Sequence, residues 1–146
     1  MKIYLDVCSI QRPLDSQTQI RIILESEAIL GVLTLVETGA LTLVVSDAHS
    51  FEINRNPHPT RKKYALNVVG KAALHVTATD SIKEQVQKLN TIGIKPLDAL
   101  HLASAIEANC AYFCTCDDRF YKKAKLVDTG SMTIVTPLEL VAELGI

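Results

Sequence analysis

Four carboxylates stand where short apolar segments end or where helices are expected to begin. Asp6 closes the apolar run at the start of the chain, Glu52 comes soon after a second run, Asp98 lies two residues after Pro96, and Asp117 follows a third run. Grouped carboxylates repel one another, so an ionised cluster is stable only when a cation lies among them. Oxygen ligands suit Mg²⁺ or Mn²⁺, whose bound waters can contact phosphate oxygens or supply hydroxide. If the four acids converge, they predict hydrolysis of phosphodiester bonds.

Each of these acids also has a purely structural interpretation. An acid in the first turn of a helix, as expected for Asp98, offsets the helix dipole by about 0.3–1 kcal/mol. Asp117 or Asp118 can cap the next helix, and Glu52 can lie on a solvated helix face. Asp6 fits such an interpretation poorly, because its neighbours predict a buried strand, where a lone carboxylate is costly. The position of all four at strand ends favours a functional site.

The hydrophobic pattern predicts the elements that must position these acids. Short apolar segments predict strands over residues 2–7, 41–46, 74–78, 111–115 and 132–136. Helices are predicted over residues 17–38, 47–55, 60–71, 81–93, 96–109 and 118–125, and from 137 onward. This alternation is typical of a mainly parallel sheet flanked by helices, so we expect one α/β domain over residues 1–146. Ligands of such sheets bind beyond the carboxyl ends of the strands, where the strand order reverses.

Two helices carry more detailed signals. Ser81 and Glu84 form a capping-box pattern at the start of one, and Thr136 and Glu139 cap the last. In the helix over 17–38, a mostly apolar face is marked by Ile20, Ile23, Leu24, Glu27, Leu30 and Leu35.

Composition restricts the class of protein. The 146 residues include 48% hydrophobic and 21% charged residues, which excludes a disordered chain. Fifteen basic and sixteen acidic residues give a net charge of −1, so any contact with nucleic acid must be local. The longest apolar run, 28–36, is far below the roughly 20 residues that cross a membrane. We therefore expect a soluble cytoplasmic protein.

The cysteines and His101 have structural interpretations. The spacing of Cys110, Cys114 and Cys116 matches none of the usual zinc motifs, and reduced thiols are expected without a secretory signal. His101 lies one turn after Asp98 in an apolar helix, which favours a hydrogen-bonded structural histidine over a metal ligand.

Four longer motifs carry a resemblance to a known family. The runs YLDVCSIQRP, SFEINRNP, PLDALHLASA and TCDDRF resemble the PIN-domain ribonucleases in order and approximate spacing, over nearly the whole chain. The resemblance implies a single PIN-like domain that cleaves RNA as a metal-dependent endoribonuclease. Its acids correspond here to Asp6, Glu52, Asp98 and Asp117, of which Asp6, Asp98 and Asp117 are expected to hold Mg²⁺ or Mn²⁺.

The motifs also choose between neighbouring acids. SFEINR favours Glu52 over Asp47, which follows the same strand more closely, and the spacing T-x-D-x-x-F favours Asp117 over Asp118. The sequence departs from the family after its first acid, where Val7 and Cys8 replace the usual Thr or Ser and a small polar residue. There Cys8 and Ser9 are candidates for the missing hydrogen bond.

Two basic segments adjoin the predicted acids and are candidates for phosphate binding. Tyr64 and Tyr121 lie among them and are candidates for stacking on unpaired bases, so single-stranded or looped RNA is the expected substrate. Such charge runs are also common on solvated helix faces. The predicted RNA-binding residues are Arg55, Arg61, Lys62, Lys63, Arg119, Lys122 and Lys123.

The resemblance to toxins of toxin–antitoxin pairs implies a small antitoxin partner. A basic side chain of that partner can pair with Asp6 and Asp98, and the many aliphatic residues also allow a homo-oligomer. Two other functions remain open. One is a phosphatase or phosphotransfer domain with Asp6 as nucleophile, although the D-x-D pattern of one such class is absent. The other is a non-catalytic module that binds RNA or protein.

Overall fold

A computed structural model describes residues 1–145 of the chain and places a five-stranded sheet at the centre of the fold. The strands follow the order β3-β2-β1-β4-β5, and every neighbouring pair is parallel. The expected mainly parallel α/β sheet is therefore confirmed. The strands are β1 (Lys2–Leu5), β2 (Thr42–Ser46), β3 (Leu74–Val76), β4 (Tyr112–Cys114) and β5 (Thr133–Val135).

Helices cover both faces of this sheet. Successive residues of a strand point to opposite faces, so Ile3 and Leu5 enter one apolar core while Tyr4 enters the other. Residues 1–145 contain eight α-helices and a short 3₁₀ helix, Arg12–Leu14. The α-helices are α1 (Val7–Ile10), α2 (Ile20–Glu37), α3 (Asp47–Asn54), α4 (Pro59–Val69), α5 (Asp80–Thr91), α6 (Pro96–Glu107), α7 (Asp118–Ala124) and α8 (Pro137–Leu144).

The strand order reverses at the central strand β1. The chain builds outward from β1 through β2 to β3, then returns to the other side of β1 with β4 and β5. The backbone N–H of Asp6, just past β1, donates to the carbonyl of Cys114 at the end of β4 (3.1 Å). Segments that follow β1 and β4 are thereby held side by side at the carboxyl edge.

The first strand is shorter than the sequence pattern predicts. β1 ends at Leu5, and Asp6 caps the short helix α1, which the expected strand over 2–7 did not include. The apolar run continues through Val7 because this residue and Ile10 are buried by α1 rather than by a strand. Asp6 therefore lies at a sharp change of direction.

Helix α2 buries a different face from the one that the pattern indicated. Ile29 and Val32 are fully buried, whereas Ile20 is 76% and Leu30 48% exposed. The helix is apolar on most sides, so hydrophobicity alone does not choose its orientation. Buried Glu25 helps to fix the orientation of α2, because its carboxylate accepts a hydrogen bond from the Arg12 guanidinium (2.7 Å).

The sequence pattern predicts the cap of α8 correctly but not the cap of α5. Thr136 and Glu139 form the expected capping box of α8. The prediction that Ser81 caps α5 is wrong. Thr79 caps this helix, and its hydroxyl accepts from the N–H of Ile82 (3.2 Å). Among residues 1–145, we find no helix with the length and apolar character that a membrane span requires.

Candidate active site

The four acids singled out in the sequence line one cleft of about 120 Å³ at the carboxyl edge of the sheet. They come from four different segments: the turn after β1, helix α3, the first turn of α6, and the turn after β4. The lining residues are Asp6, Val7, Cys8, Glu52, Asp98, His101 and Asp117.

Asp6 is the most buried of the four, at 5% exposure. Its Oδ1 accepts from the backbone N–H of Ser9 (3.0 Å) and from the Cys8 thiol (3.1 Å). Burial raises the pKa of Asp6, while hydrogen bonding from Thr115 and the nearby His101 oppose that rise. Of the two candidates for the missing hydrogen bond, Cys8 supplies one from its side chain, whereas Ser9 contacts Asp6 only through its backbone N–H and its hydroxyl donates to the Cys114 carbonyl (3.1 Å).

A chain of buried side chains contacts Glu52. The Nε2 of His101 lies 3.0 Å from a Glu52 carboxylate oxygen, and its Nδ1 lies 2.7 Å from the Tyr4 hydroxyl. That hydroxyl is also 2.7 Å from the hydroxyl of Ser46. One proton arrangement satisfies every group: Ser46 donates to Tyr4, Tyr4 to Nδ1, and Nε2–H to Glu52. His101 is therefore the expected hydrogen-bonded histidine, and it also fixes an acid of the cleft.

His49 supports this network from the adjoining turn of α3. Its Nδ1 accepts from the backbone N–H of Ser46 (3.1 Å), so the opposite nitrogen donates to the carbonyl of Leu5 (2.7 Å). Burial lowers the pKa of His49 to about 3, which keeps this imidazole neutral at physiological pH.

The surroundings of Asp98 raise the pKa of this acid. Burial, followed by the charges of Asp6 and Asp117, raises the pKa of Asp98 to about 6. A helix N-terminus alone would favour the ionised form and lower this pKa. Burial and the surrounding acids are the causes of the rise, and the N-terminus of α6 acts against it.

Asp117 both caps a helix and lines the cleft. Its Oδ1 accepts from the N–H groups of Arg119 (3.0 Å) and Phe120 (3.2 Å) at the start of α7. Its own N–H donates to the hydroxyl of buried Thr115 (3.1 Å). The capping role and the position in the cleft are thus compatible.

The two competing acids are engaged elsewhere. Asp47 accepts from the N–H of Ala78 (2.9 Å) and lies 2.8 Å from the His75 ring, and these contacts hold the pKa of Asp47 below its ordinary value. Asp118 pairs with Arg21 through both oxygens (2.8 and 2.9 Å), which lowers the pKa of Asp118. Neither residue is among those that line the cleft in the described part of the chain.

The basic residues separate into two locations. Arg119 and Lys123 line a small pocket that also includes Lys95, Asp98 and Asp117. Lys122 is exposed on the same helix, α7.

The other basic segment lies on and before α4. Arg61 is held by Asp15 (2.9 Å) and by Gln11 (3.3 Å), Lys62 and Lys63 lie next to it on α4, and Arg55 follows α3. The structure thus brings the α7 segment, rather than Arg61, into the surroundings of the acids. Lys95 belongs to those surroundings and was missed in the sequence because it stands alone, outside both basic runs.

The donor chemistry of the cleft fits a hard divalent cation. Its carboxylates supply only oxygen, and burial and the charges of Asp6 and Asp117 raise the pKa of Asp98 despite the opposing effect of nearby His101. Across residues 1–145, no three His, Cys, Asp or Glu side chains lie close enough together to enclose an ion directly. Mg²⁺ keeps several of its waters, so it does not need such an enclosure.

Comparison with known proteins gives a consistent result. The fold resembles FitAcB from Neisseria gonorrhoeae, with a TM-score of 0.54 and 15% identity over 93% of this chain and 98% of that one. It also resembles VapBC2 from Rickettsia felis, solved with a DNA fragment from its promoter, with a TM-score of 0.58 and 12% identity over the same shares. No curated protein sequence gives a significant match. The PIN domain family model matches residues 9–126, which include Glu52, Asp98 and Asp117. Since this match spans well over half of the chain, the protein belongs to the PIN-domain family.

Proposed function

We propose that the protein is a divalent-metal-dependent endoribonuclease that hydrolyses RNA phosphodiester bonds through Asp6, Glu52, Asp98 and Asp117. The observation that carries the proposal is the raised pKa of Asp98 in a cleft that it shares with the other three acids. Uncompensated negative charge of this kind is costly unless a cation binds there. Membership of a family whose members are generally nucleases supports the same assignment.

The surroundings of the four acids suggest different roles for them. Asp6, Asp98 and Asp117 would hold Mg²⁺ or Mn²⁺, in part through waters of the ion, and the ion would polarise a phosphate oxygen and lower the pKa of a bound water. Glu52, which contacts His101, would orient that water. Ser9 and Cys8 hold the Asp6 carboxylate in one orientation, which limits its rearrangement during the reaction.

The substrate we propose is single-stranded or looped RNA. Arg119 and Lys123 stand beside the acids and are suited to phosphates next to the scissile bond. Arg55, Arg61, Lys62, Lys63 and Lys122 would extend contact with the RNA backbone farther along the strand. RNA as substrate makes the cytoplasm the proposed site of action.

A cleavage assay tests this function. Mixed RNA is incubated with the protein in Mn²⁺ or in EDTA, and Asp6→Asn is compared with Asp118→Asn. Asn retains the capping ability of Asp6, so folding is expected to survive. We expect the wild type and Asp118→Asn to cleave RNA in Mn²⁺ but not in EDTA. Asp6→Asn should cleave RNA in neither. Full activity in EDTA, or in Asp6→Asn, would contradict the proposal.

We also propose that the protein is the toxin of a toxin–antitoxin pair. The fold shared with VapBC2 supports this assignment. The cleft that attracts a metal also attracts an arginine or lysine, which can pair with Asp6 and Asp98. A groove of about 360 Å³ between α2 and α8, lined in part by Leu24 and Leu138, offers apolar contact for the rest of the partner.

Co-purification from the native source tests the partner. We expect a small protein that binds tightly, suppresses cleavage, and loses this inhibition when its inserted basic residue is replaced. Growth of cells that express the protein should stop unless the partner is also expressed. A protein that purifies alone and leaves growth unaffected would refute the toxin assignment but not the nuclease assignment.

A further inference from the structure

A second groove, of about 490 Å³, runs beside the acidic cleft between helices α3 and α6. Its walls are apolar and its rim is basic, and among the described residues that line it none is acidic. The lining residues are Phe51, Arg55, Lys95, Pro96, Leu97 and Leu100.

Phe51 presents an aromatic surface inside this groove. It is 52% exposed, whereas Phe113 and Phe120 are buried in the core. The guanidinium carbon of Arg55 lies 5.0 Å from the centroid of the Phe51 ring. Aromatic rings and guanidinium planes are the groups on which proteins stack unpaired bases. The pair therefore offers both a stacking surface and a cation for a nearby phosphate.

The groove is continuous with the surroundings of the acids. Phe51 directly precedes Glu52, and Leu97 directly precedes Asp98, so each wall carries an acid of the cleft at the next position. Lys95 lines both this groove and the small pocket that includes Asp98 and Asp117. A phosphate held at Lys95 would thus join a nucleotide in the groove to one at the acids.

We propose that this groove binds an unpaired base of the RNA next to the scissile phosphate. Phe51 stacks on the base, and Arg55 and Lys95 contact the adjoining phosphates. This inference rests on the proposed ribonuclease function. Arg55 and Lys95 are both cations and no acid is among the described lining residues, so the charge of the groove favours a polyanion.

The assignment replaces Tyr64 and Tyr121 as the stacking residues suggested by the sequence. The Tyr121 hydroxyl donates to Glu139 (2.8 Å), which holds this side chain against α8. Tyr64 packs against the core on the α2 side of the sheet. Phe51 is an exposed aromatic residue that adjoins the acids, although no basic run marks it.

A fluorescent oligonucleotide tests the base site without requiring cleavage. Single-stranded RNA that carries 2-aminopurine is titrated with the full chain in EDTA, because stacking quenches this base. The variants are Phe51→Ala, Phe51→Tyr and, as a control on an exposed aliphatic residue of α2, Ile20→Ala. We expect quenching with the wild type, the Tyr variant and the control. Phe51→Ala should bind about 5- to 150-fold more weakly and lose the quenching.

Two results would overturn the base site. One is unchanged affinity and quenching in Phe51→Ala. The other is a changed oligomeric state of Phe51→Ala with unchanged RNA affinity, which would make this face a protein interface. Lys95→Gln provides a second variant and should flatten the salt dependence of binding. If quenching depends on Phe51 but the wild type cleaves no RNA in Mn²⁺, the base site is supported and the nuclease function fails.

Discussion

Two groups of acids lie near the carboxyl edge of the sheet, and they differ in what surrounds them. The paired acids, Asp47 and Asp118, have pKa values lowered by hydrogen-bond donors and, for Asp118, by Arg21. The cleft acids are Asp6, Glu52, Asp98 and Asp117, and here burial and mutual repulsion raise the pKa of Asp98 to about 6. Each group includes an acid that directly follows a strand, since Asp47 follows β2 and Asp6 follows β1. The two groups therefore differ in their surroundings: hydrogen bonds favour the ionised form of Asp47 and Asp118, whereas burial and neighbouring acids oppose the ionised form of Asp98.

The largest expected difference is in catalysis. Asp98→Asn should lower RNA cleavage in Mn²⁺ by about 100-fold or more, because even residues that only support a metal ligand contribute 10–100-fold. Asp118→Asn should cleave at nearly the wild-type rate. Initial rates on a labelled single-stranded RNA measure both, and equal losses in the two variants would remove the distinction between the groups.

A smaller difference is expected between the two acids of α3. Glu52→Gln should lower turnover by about 10–100-fold, since it keeps an oxygen for His101 but loses a negative charge. Asp47→Asn should leave turnover unchanged and lower the free energy of unfolding by about 1 kcal/mol, through weaker hydrogen bonds with His75 and Ala78. Reversed activities would show that Asp47, not Glu52, belongs to the reactive group.

Stability should respond to pH with opposite signs in the two groups. The folded-state pKa of Asp98 is raised, so ionisation of this residue destabilises the fold as pH rises from about 4 through 6. Asp98→Asn should therefore be more stable than the wild type at pH 8, with the difference vanishing below about pH 4.

The pKa of Asp118 is lowered in the folded state, so its pair with Arg21 stabilises the protein above about pH 4. Asp118→Asn should be less stable at pH 8 by about 0.2–1 kcal/mol, as is usual for an exposed pair. Urea denaturation of both variants in EDTA at pH 4 and pH 8 measures these differences. A lower stability of Asp98→Asn than of the wild type at pH 8 would contradict the electrostatics described above.

The smallest effect concerns RNA binding by the two basic segments. Replacing Lys122 and Lys123 with Ala should flatten the salt dependence of binding, by about 0.7 in slope for each lysine–phosphate pair that the substitution removes. The same change at Lys62 and Lys63 should have less effect, because their neighbour Arg61 is engaged by Asp15 and α4 does not line the cleft. A larger change of slope for the α4 pair would reverse this assignment.

The parallel fold could be predicted because each strand is a short apolar segment followed by a helix. Tertiary contacts determine two features that the hydrophobic pattern does not predict, the orientation of α2 and the contact of His101. Hydrophobicity did not orient α2, which is also held by the contact between buried Glu25 and partly exposed Arg12, 13 residues earlier in the chain. No local pattern reveals that His101 meets Glu52, 49 residues earlier in the chain. Asp6, Asp98 and Asp117 could be located since each follows a strand or opens a helix, and Glu52 by its motif, whereas their electrostatics depends on burial that the sequence does not show.

Manganese binding measured without RNA tests the central claim most directly. The electron paramagnetic resonance signal of free Mn²⁺ is recorded during titration of the wild type, Asp98→Asn and Asp118→Asn. We predict saturable binding to the wild type and to Asp118→Asn, and binding at least about 10-fold weaker to Asp98→Asn. If the wild type does not bind Mn²⁺, or if Asp118→Asn loses as much affinity as Asp98→Asn, the cleft acids are not the metal site.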